Sequence, residues 1–226
     1  MQEAPLTRRQ ISEAVGPQGW QLVLGAVYTE VLVPTMADAV AAASHAVAAA
    51  GADAPGHLRI DVRADRAVLR LQSGDSGTVT GRDLELARKV SQELAARGFE
   101  PAVRGGGALR AFEIAIDALD IAAVRPFWKA ITGYVDEPDS SDLNEGLVDP
   151  FGRGPAIWFQ QMDQARGGRN RIHLDIDVPH DAAPARIEAA LAAGGTLLND
   201  RAAPAFWVLA DAEGNEACIC TWQGRD

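Results

Sequence analysis

Glu113-Ile114-Ala115-Ile116-Asp117 and His173-Leu174-Asp175-Ile176-Asp177 decide the fold of this chain. Both stretches alternate apolar and polar residues, the signature of a half-buried strand. They lie 60 positions apart, and the same offset pairs Ala122-Ala123 with Ala182-Ala183, Phe127 with Ile187 and Gly154 with Gly214. Each copy reads strand, helix, then three short strands. The first helix is expected over Ile121–Ile131 and the second over Ala183–Ala193, ended by Gly194-Gly195. Thr196–Leu198, Ala205–Ala210 and Glu216–Trp222 are the later strands of the second copy. A βαβββ duplication of this kind relates equivalent positions by a pseudo-twofold axis. Glu113 and His173 are therefore expected to face one cleft.

Outward from this repeat, toward the N-terminus, lies the run Gly105-Gly106-Gly107. The charge changes at the same place. Residues 1–107 hold 11 basic and 12 acidic side chains, and residues 108–226 hold 10 and 19. The run is taken as a boundary between domains 1–104 and 108–226. The first half reads α-β-β-α-β-β-α. A helix over Leu6–Val15 has Thr7 as N-cap, and strands follow at Trp20–Leu24 and Tyr28–Val33. An alanine-rich helix spans Met36–Ala50, and strands return at Leu58–Val62 and Ala67–Gln72. Thr80-Gly81-Arg82-Asp83 opens the last helix as a capping box with Asp in place of Glu. The fold class is α+β twice over: an antiparallel sheet with helices on one face, then the paired βαβββ modules.

Composition narrows the function. Of 226 residues, 47% are hydrophobic and 23% charged, which excludes a disordered or fibrous chain. The net charge of −10, without clustered Lys and Arg, argues against nucleic acid. No apolar run is long enough for a membrane span, and MQEAPLTRRQ has no signal-peptide core, so a cytoplasmic location is expected. Cys218 and Cys220 are too few for a disulfide framework or a four-cysteine zinc site, and are expected on opposite faces of a strand.

The first half resembles pterin-4a-carbinolamine dehydratase over roughly residues 5–98. The matching residues are Leu6-Thr7, Gly19-Trp20, the helix around Ala39–Ala50, Val68-Leu69-Arg70-Leu71, and Gly74 through Thr80 with Asp83 and Leu86-Ala87. The resemblance implies a site with a His-His-Pro segment and a Thr-His-Asp segment. Here Gly56-His57-Leu58 and Ser73-Gly74-Asp75 stand in those places. Only His57 and Asp75 remain as catalytic candidates, and losing a general acid or base costs about 10²–10⁴-fold. The expectation is a degenerate site without dehydratase activity. The competing reading is a working dehydratase that recruits another histidine, such as His45, to the cluster.

The second half, from 111 to 223, resembles the vicinal oxygen chelate superfamily of glyoxalase and bleomycin-resistance proteins. The residues are Ala118-Leu119-Asp120, Phe127-Trp128, Gly133-Tyr134, Arg171 through Asp175, Gly194-Gly195 and Leu209 through Cys218. The resemblance implies a divalent ion held by positions Glu113, Trp158, His173 and Cys218. Trp158 cannot ligate, although Gln160 lies one alternation further along. Glu113, His173 and Cys218 are the metal candidates, zinc foremost. Glu113 and His173 are also candidate acid and base without metal. Trp128, Trp158, Phe159 and Trp207 are candidate walls of an aromatic cavity for a small-molecule ligand. Two readings follow for this half: a glyoxalase-like enzyme, possible lyase, or a protein that sequesters its ligand without turnover. Both resemblances imply a homodimer or higher homo-oligomer.

Overall fold

The structure, a computed structural model, describes residues 6–102, 110–138, 146–165, 168 and 172–225. The glycine run at 105–107 and most of the acidic loop 136–147 lie outside the described residues. The chain divides into two compact units, one through Ala111 and one from Phe112. No helix among the described residues is long and apolar enough to cross a membrane.

In the first unit, helix α1 (Arg8–Val15) precedes strands β1 (Gln21–Val23) and β2 (Ala26–Leu32). Helix α2 (Met36–Ala50) follows, then a single turn α3 (Ala54–His57), strands β3 (Leu58–Val62) and β4 (Arg66–Leu71), and helix α4 (Gly81–Ala96). All neighbours in the sheet are antiparallel, in the order β1-β2-β4-β3. Thr7 caps α1 as expected: Gln10 N–H donates to its hydroxyl at 3.3 Å, and Gln10 Oε1 accepts from Thr7 N–H at 2.8 Å. Along α2, Ala39, Ala42, Ala46 and Ala50 recur at helical spacing and are buried. Their small side chains let the helix lie close over Val27, Val31, Leu69 and Leu71 of the sheet. Absent from the expected order are α3 and two 3₁₀ turns, Gly16–Gln18 and Gly51–Asp53. Pro55 sits in the first turn of α3, where a missing N–H costs nothing.

The second unit holds both modules. In the first are β5 (Glu113–Ala118), α5 (Ile121–Thr132), β6 (Val135–Asp136), β7 (Leu147–Val148) and β8 (Ala156–Gln161). In the second are β9 (Leu174–Asp177), α6 (Ala183–Ala192), β10 (Thr196–Asn199), β11 (Phe206–Ala210) and β12 (Glu216–Cys220). The two sheets have the matched orders β5-β8-β7-β6 and β9-β12-β11-β10, with β5–β8 and β9–β12 parallel. The duplicated pattern thus becomes two sheets of like connectivity. Asp120 caps α5 by accepting from Ala123 N–H at 3.1 Å, and Gly133 ends it at φ +73°. A side chain at Gly133 would also strike the Arg186 guanidinium on α6. Ile116, Val124, Phe127, Ile131, Ile157, Leu209 and Ile219 make one core shared by both modules. Each such side chain contributes about 1.5–3 kcal/mol by leaving water.

Candidate functional site

Period-two alternation sorts the second unit's residues between core and open face. On β5, Ile114, Ile116 and Ala118 pack in or against the core, leaving Glu113, Ala115 and Asp117 on the other side. On β12, Ala217 and Ile219 are core, and Glu216, Cys218 and Cys220 point the opposite way. The expectation that Cys218 and Cys220 face apart is corrected: residues two apart on a strand share a face, and both line one cavity.

A cavity of about 780 Å³ opens between the modules. Glu113, Asp117, His173, Glu213 and Glu216 line it together with Leu119, Trp128, Met162 and Ile172. Glu113 and His173 therefore do reach one cleft. A second cavity, of about 530 Å³, takes His173, Asp175, Phe206, Cys218, Cys220 and Arg225. His173 borders both.

One turn organises the larger cavity. Asp211, 3% exposed, accepts from Trp128 Nε1 at 2.9 Å, from Glu213 N–H at 3.0 Å, and from the backbone and side-chain N–H of Asn215 at 2.9 and 2.8 Å. Glu213 then reaches the other module, accepting from Leu119 N–H at 2.9 Å and Asp120 N–H at 2.7 Å. Neither role was anticipated, although both residues lie in the Asp211–Cys218 segment that carries the resemblance.

Three of the four expected aromatic walls line neither cavity. Phe159 is in the core, 3% exposed, because it shares the inward phase of β8 with Ile157. Trp207 packs against the same core from β11, opposite Ile219. Trp158, 37% exposed, lies on the open face of β8, and Trp128 alone meets the expectation.

The metal candidates regroup. His173, Asp175 and Cys218 place one ligand atom each within 4.8 Å of one another, and Glu113 is not in the group. The register explains this: Cys218 on β12 lies beside Asp175 on β9, whereas Glu113 belongs to the other sheet. His173 Nε2 is 3.2 Å from Asp175 Oδ1. The Cys218 thiol is pushed up to about 12, first by burial and then by the neighbouring Asp175 carboxylate. Nitrogen, oxygen and sulfur donors on adjoining strands fit a zinc-class ion. Asp175 was missed as a ligand, yet His-x-Asp on a strand is the visible signal, since both side chains share a face.

In the first unit, the segments that carry the family's histidines do come together. Gly74 N–H donates to the Gly56 carbonyl at 2.8 Å, and Gln72 N–H to that of His57 at 3.1 Å. The side chains do not build the histidine cluster of the competing reading. His57 Nδ1 lies 2.8 Å from Asp83 Oδ1, and the wholly buried Asp83 also accepts from the Thr80 N–H and hydroxyl, both at 2.7 Å. Asp75 is exposed in the turn. His45 is 3.7 Å from Glu93, ten residues along α4 from Asp83, which is about 15 Å at 1.5 Å per residue. His45 thus lies apart from the His57–Asp83 pair.

Residues 113–220 match the family model of the glyoxalase-like domain, and residues 4–93 that of pterin 4 alpha carbinolamine dehydratase. The chain joins a pterin dehydratase-like domain to a glyoxalase-like domain. No curated protein matches it. Among solved structures, a glyoxalase/bleomycin resistance protein/dioxygenase family enzyme from Burkholderia phytofirmans PsJN is 24% identical, covering 48% of this chain and 95% of its own, with a TM-score of 0.40. A transcriptional coactivator/pterin dehydratase from Brucella melitensis is 22% identical, covering 40% and 98%, with a TM-score of 0.36. The fosfomycin resistance protein FosX from Listeria monocytogenes is 13% identical, covering 52% and 92%, with a TM-score of 0.38. The Glu113–His173 cleft and the three-donor group belong to the glyoxalase-like domain, and the His57–Asp83 pair to the dehydratase-like one.

Proposed function

We propose that the glyoxalase-like domain takes up a small organic molecule between its modules, with Glu113 and His173 as its acid and base, and that the dehydratase-like domain does not dehydrate pterins. The observation that carries the first part is the cavity of about 780 Å³, which both side chains line. That volume is within the range of small-molecule sites, about 300–1,000 Å³. Leu119, Trp128, Met162 and Ile172 supply apolar wall, and Trp128 is held at its nitrogen by Asp211. A carboxylate and an imidazole across one ligand can carry a proton from one of its atoms to another. A divalent ion bound beside His173 would supply Lewis acidity toward ligand oxygens.

A panel of catechols and α-hydroxyketones, screened by isothermal titration, tests the reading. Binding that weakens in both Glu113→Gln and His173→Ala supports it. Binding indifferent to both variants overturns it. Sequestration without turnover is the second reading, favoured by Trp158 at a position where the family's ligand set needs a donor. It is distinguished by unchanged ligand after prolonged incubation with the protein.

The second part rests on Gly56 and Gly74 standing where the family has histidines, on the pairing of His57 with Asp83, and on the distance of His45 from that pair. Adding the chain to a 4a-hydroxytetrahydropterin should leave its dehydration at the uncatalysed rate. An acceleration lost in His57→Ala would reverse this conclusion. We further propose self-association into a dimer or larger assembly, measured by light scattering.

A further inference from the structure

We propose that the second module alone holds a zinc-class divalent cation, on His173 Nε2, Asp175 and Cys218 Sγ, without Glu113. This goes beyond the ligand cleft, which needs Glu113 and does not need Asp175; in the cation-loaded protein His173 Nε2 is taken by the ion, and proton transfer in the cleft falls to Glu113. Three observations carry it.

The first is proximity. The three ligand atoms lie within 4.8 Å of one another; Asp175 and Cys218 are register partners on β9 and β12, and His173 immediately precedes β9. Bonds of 2.0–2.3 Å in a tetrahedron set ligand atoms about 3.3–3.8 Å apart. His173 and Asp175 already stand at 3.2 Å, so only the approach to sulfur must shorten, by roughly 1 Å. The side chains that must move are the ones free to do so: His173 and Asp175 are 49% and 57% exposed, whereas Cys218 is anchored in β12.

The second is the donor chemistry. Imidazole, carboxylate and thiolate together suit zinc or cobalt(II) and do not suit magnesium or calcium, which take oxygen. Coordination replaces the thiol proton, which leaves to solvent. A carboxylate and a thiolate then balance the two positive charges of the ion.

The third is access. His173 borders both cavities, and Cys218 and Asp175 line the second. A cation there is reached from solvent without opening the core, and three protein donors leave a coordination position for water or ligand.

Cobalt(II) titration of the chelator-treated full chain is the test, because a thiolate ligand gives a near-ultraviolet charge-transfer band. The band is expected at one equivalent and is expected to vanish in Cys218→Ser. Asp175→Asn, which keeps the shape of the side chain, should weaken cobalt binding at least tenfold, the loss already typical of an outer-shell partner. Glu113→Gln and Cys220→Ser should leave band and affinity unchanged. A wild-type chain with no band at saturating cobalt overturns the proposal. So does an affinity that falls in Glu113→Gln and not in Asp175→Asn, since the ion would then bridge the modules. Glu113→Gln that loses organic ligand but keeps the cobalt band separates this proposal from the cleft reading. Ligand binding by metal-free protein does so in the other direction.

Discussion

Asp211 is the residue on which most of the candidate site hangs. Its buried carboxylate meets four N–H groups, one of them the indole of Trp128. Asp211→Ala leaves those donors without their acceptor inside the protein, and a loss of about 2–4 kcal/mol is expected. Asp211→Asn keeps one oxygen and should lose about half as much. Urea unfolding of both variants, followed by tryptophan fluorescence, measures the difference. Asp83 is the parallel case in the dehydratase-like domain, where it is wholly buried and serves both Thr80 and His57. Asp83→Ala should destabilise that domain by a similar amount, read by the same denaturation, and His57→Ala by less, because the Thr80 donors remain.

At the scale of elements, the turn before β8 is a pH-sensitive part of the fold. Asp149 accepts from Phe151, Arg153 and Gly154 N–H at 2.8–2.9 Å. Burial opposes its ionisation, but the three backbone donors outweigh burial and hold its pKa below the usual carboxylate value of 3.8. A depressed value means that the ionised turn stabilises the native state above about pH 4. That stability is lost as the pH falls through the folded-state value. Melting temperature against pH should therefore drop more steeply below pH 4 in the wild-type chain than in Asp149→Asn. The elements that were given bounds from the sequence fall within one or two residues of the structure, because alternation, N-caps and terminal glycines are local signals; α3 was missed, and β6, β7 and β8 were expected only as three short strands without bounds. What the side chains do at the site was less so. Period two shows that Trp158 and Phe159 face opposite ways, but it takes the packed sheet to show that Phe159 has the core side. The His-x-Asp spacing puts Asp175 beside His173, but that Cys218 joins them depends on the pairing of β9 with β12, a contact between residues 43 apart that no local pattern contains.

For the whole molecule, the two cores share no residue. Each unit should consequently unfold as its own cooperative transition. Leu69→Ala, in the first core, should lower only one of two calorimetric peaks, by about 2–5 kcal/mol. A single merged peak that moves as a whole would show that the units stabilise each other. Within the second unit the β7–β8 and β11–β12 turns are built around the same kind of anchor. Asp149 and Asp211 each hold the N–H groups two and four residues ahead, although they stand 62 apart and not at the repeat offset of 60. The residue two places on has a different task in each turn. It is Phe151 in one half, 72% exposed, and Glu213 in the other, stapled to its sister half. A loop of the first kind tolerates change at its tip and not at its base: Phe151→Ser should leave the melting temperature nearly unmoved where Asp149→Ala lowers it.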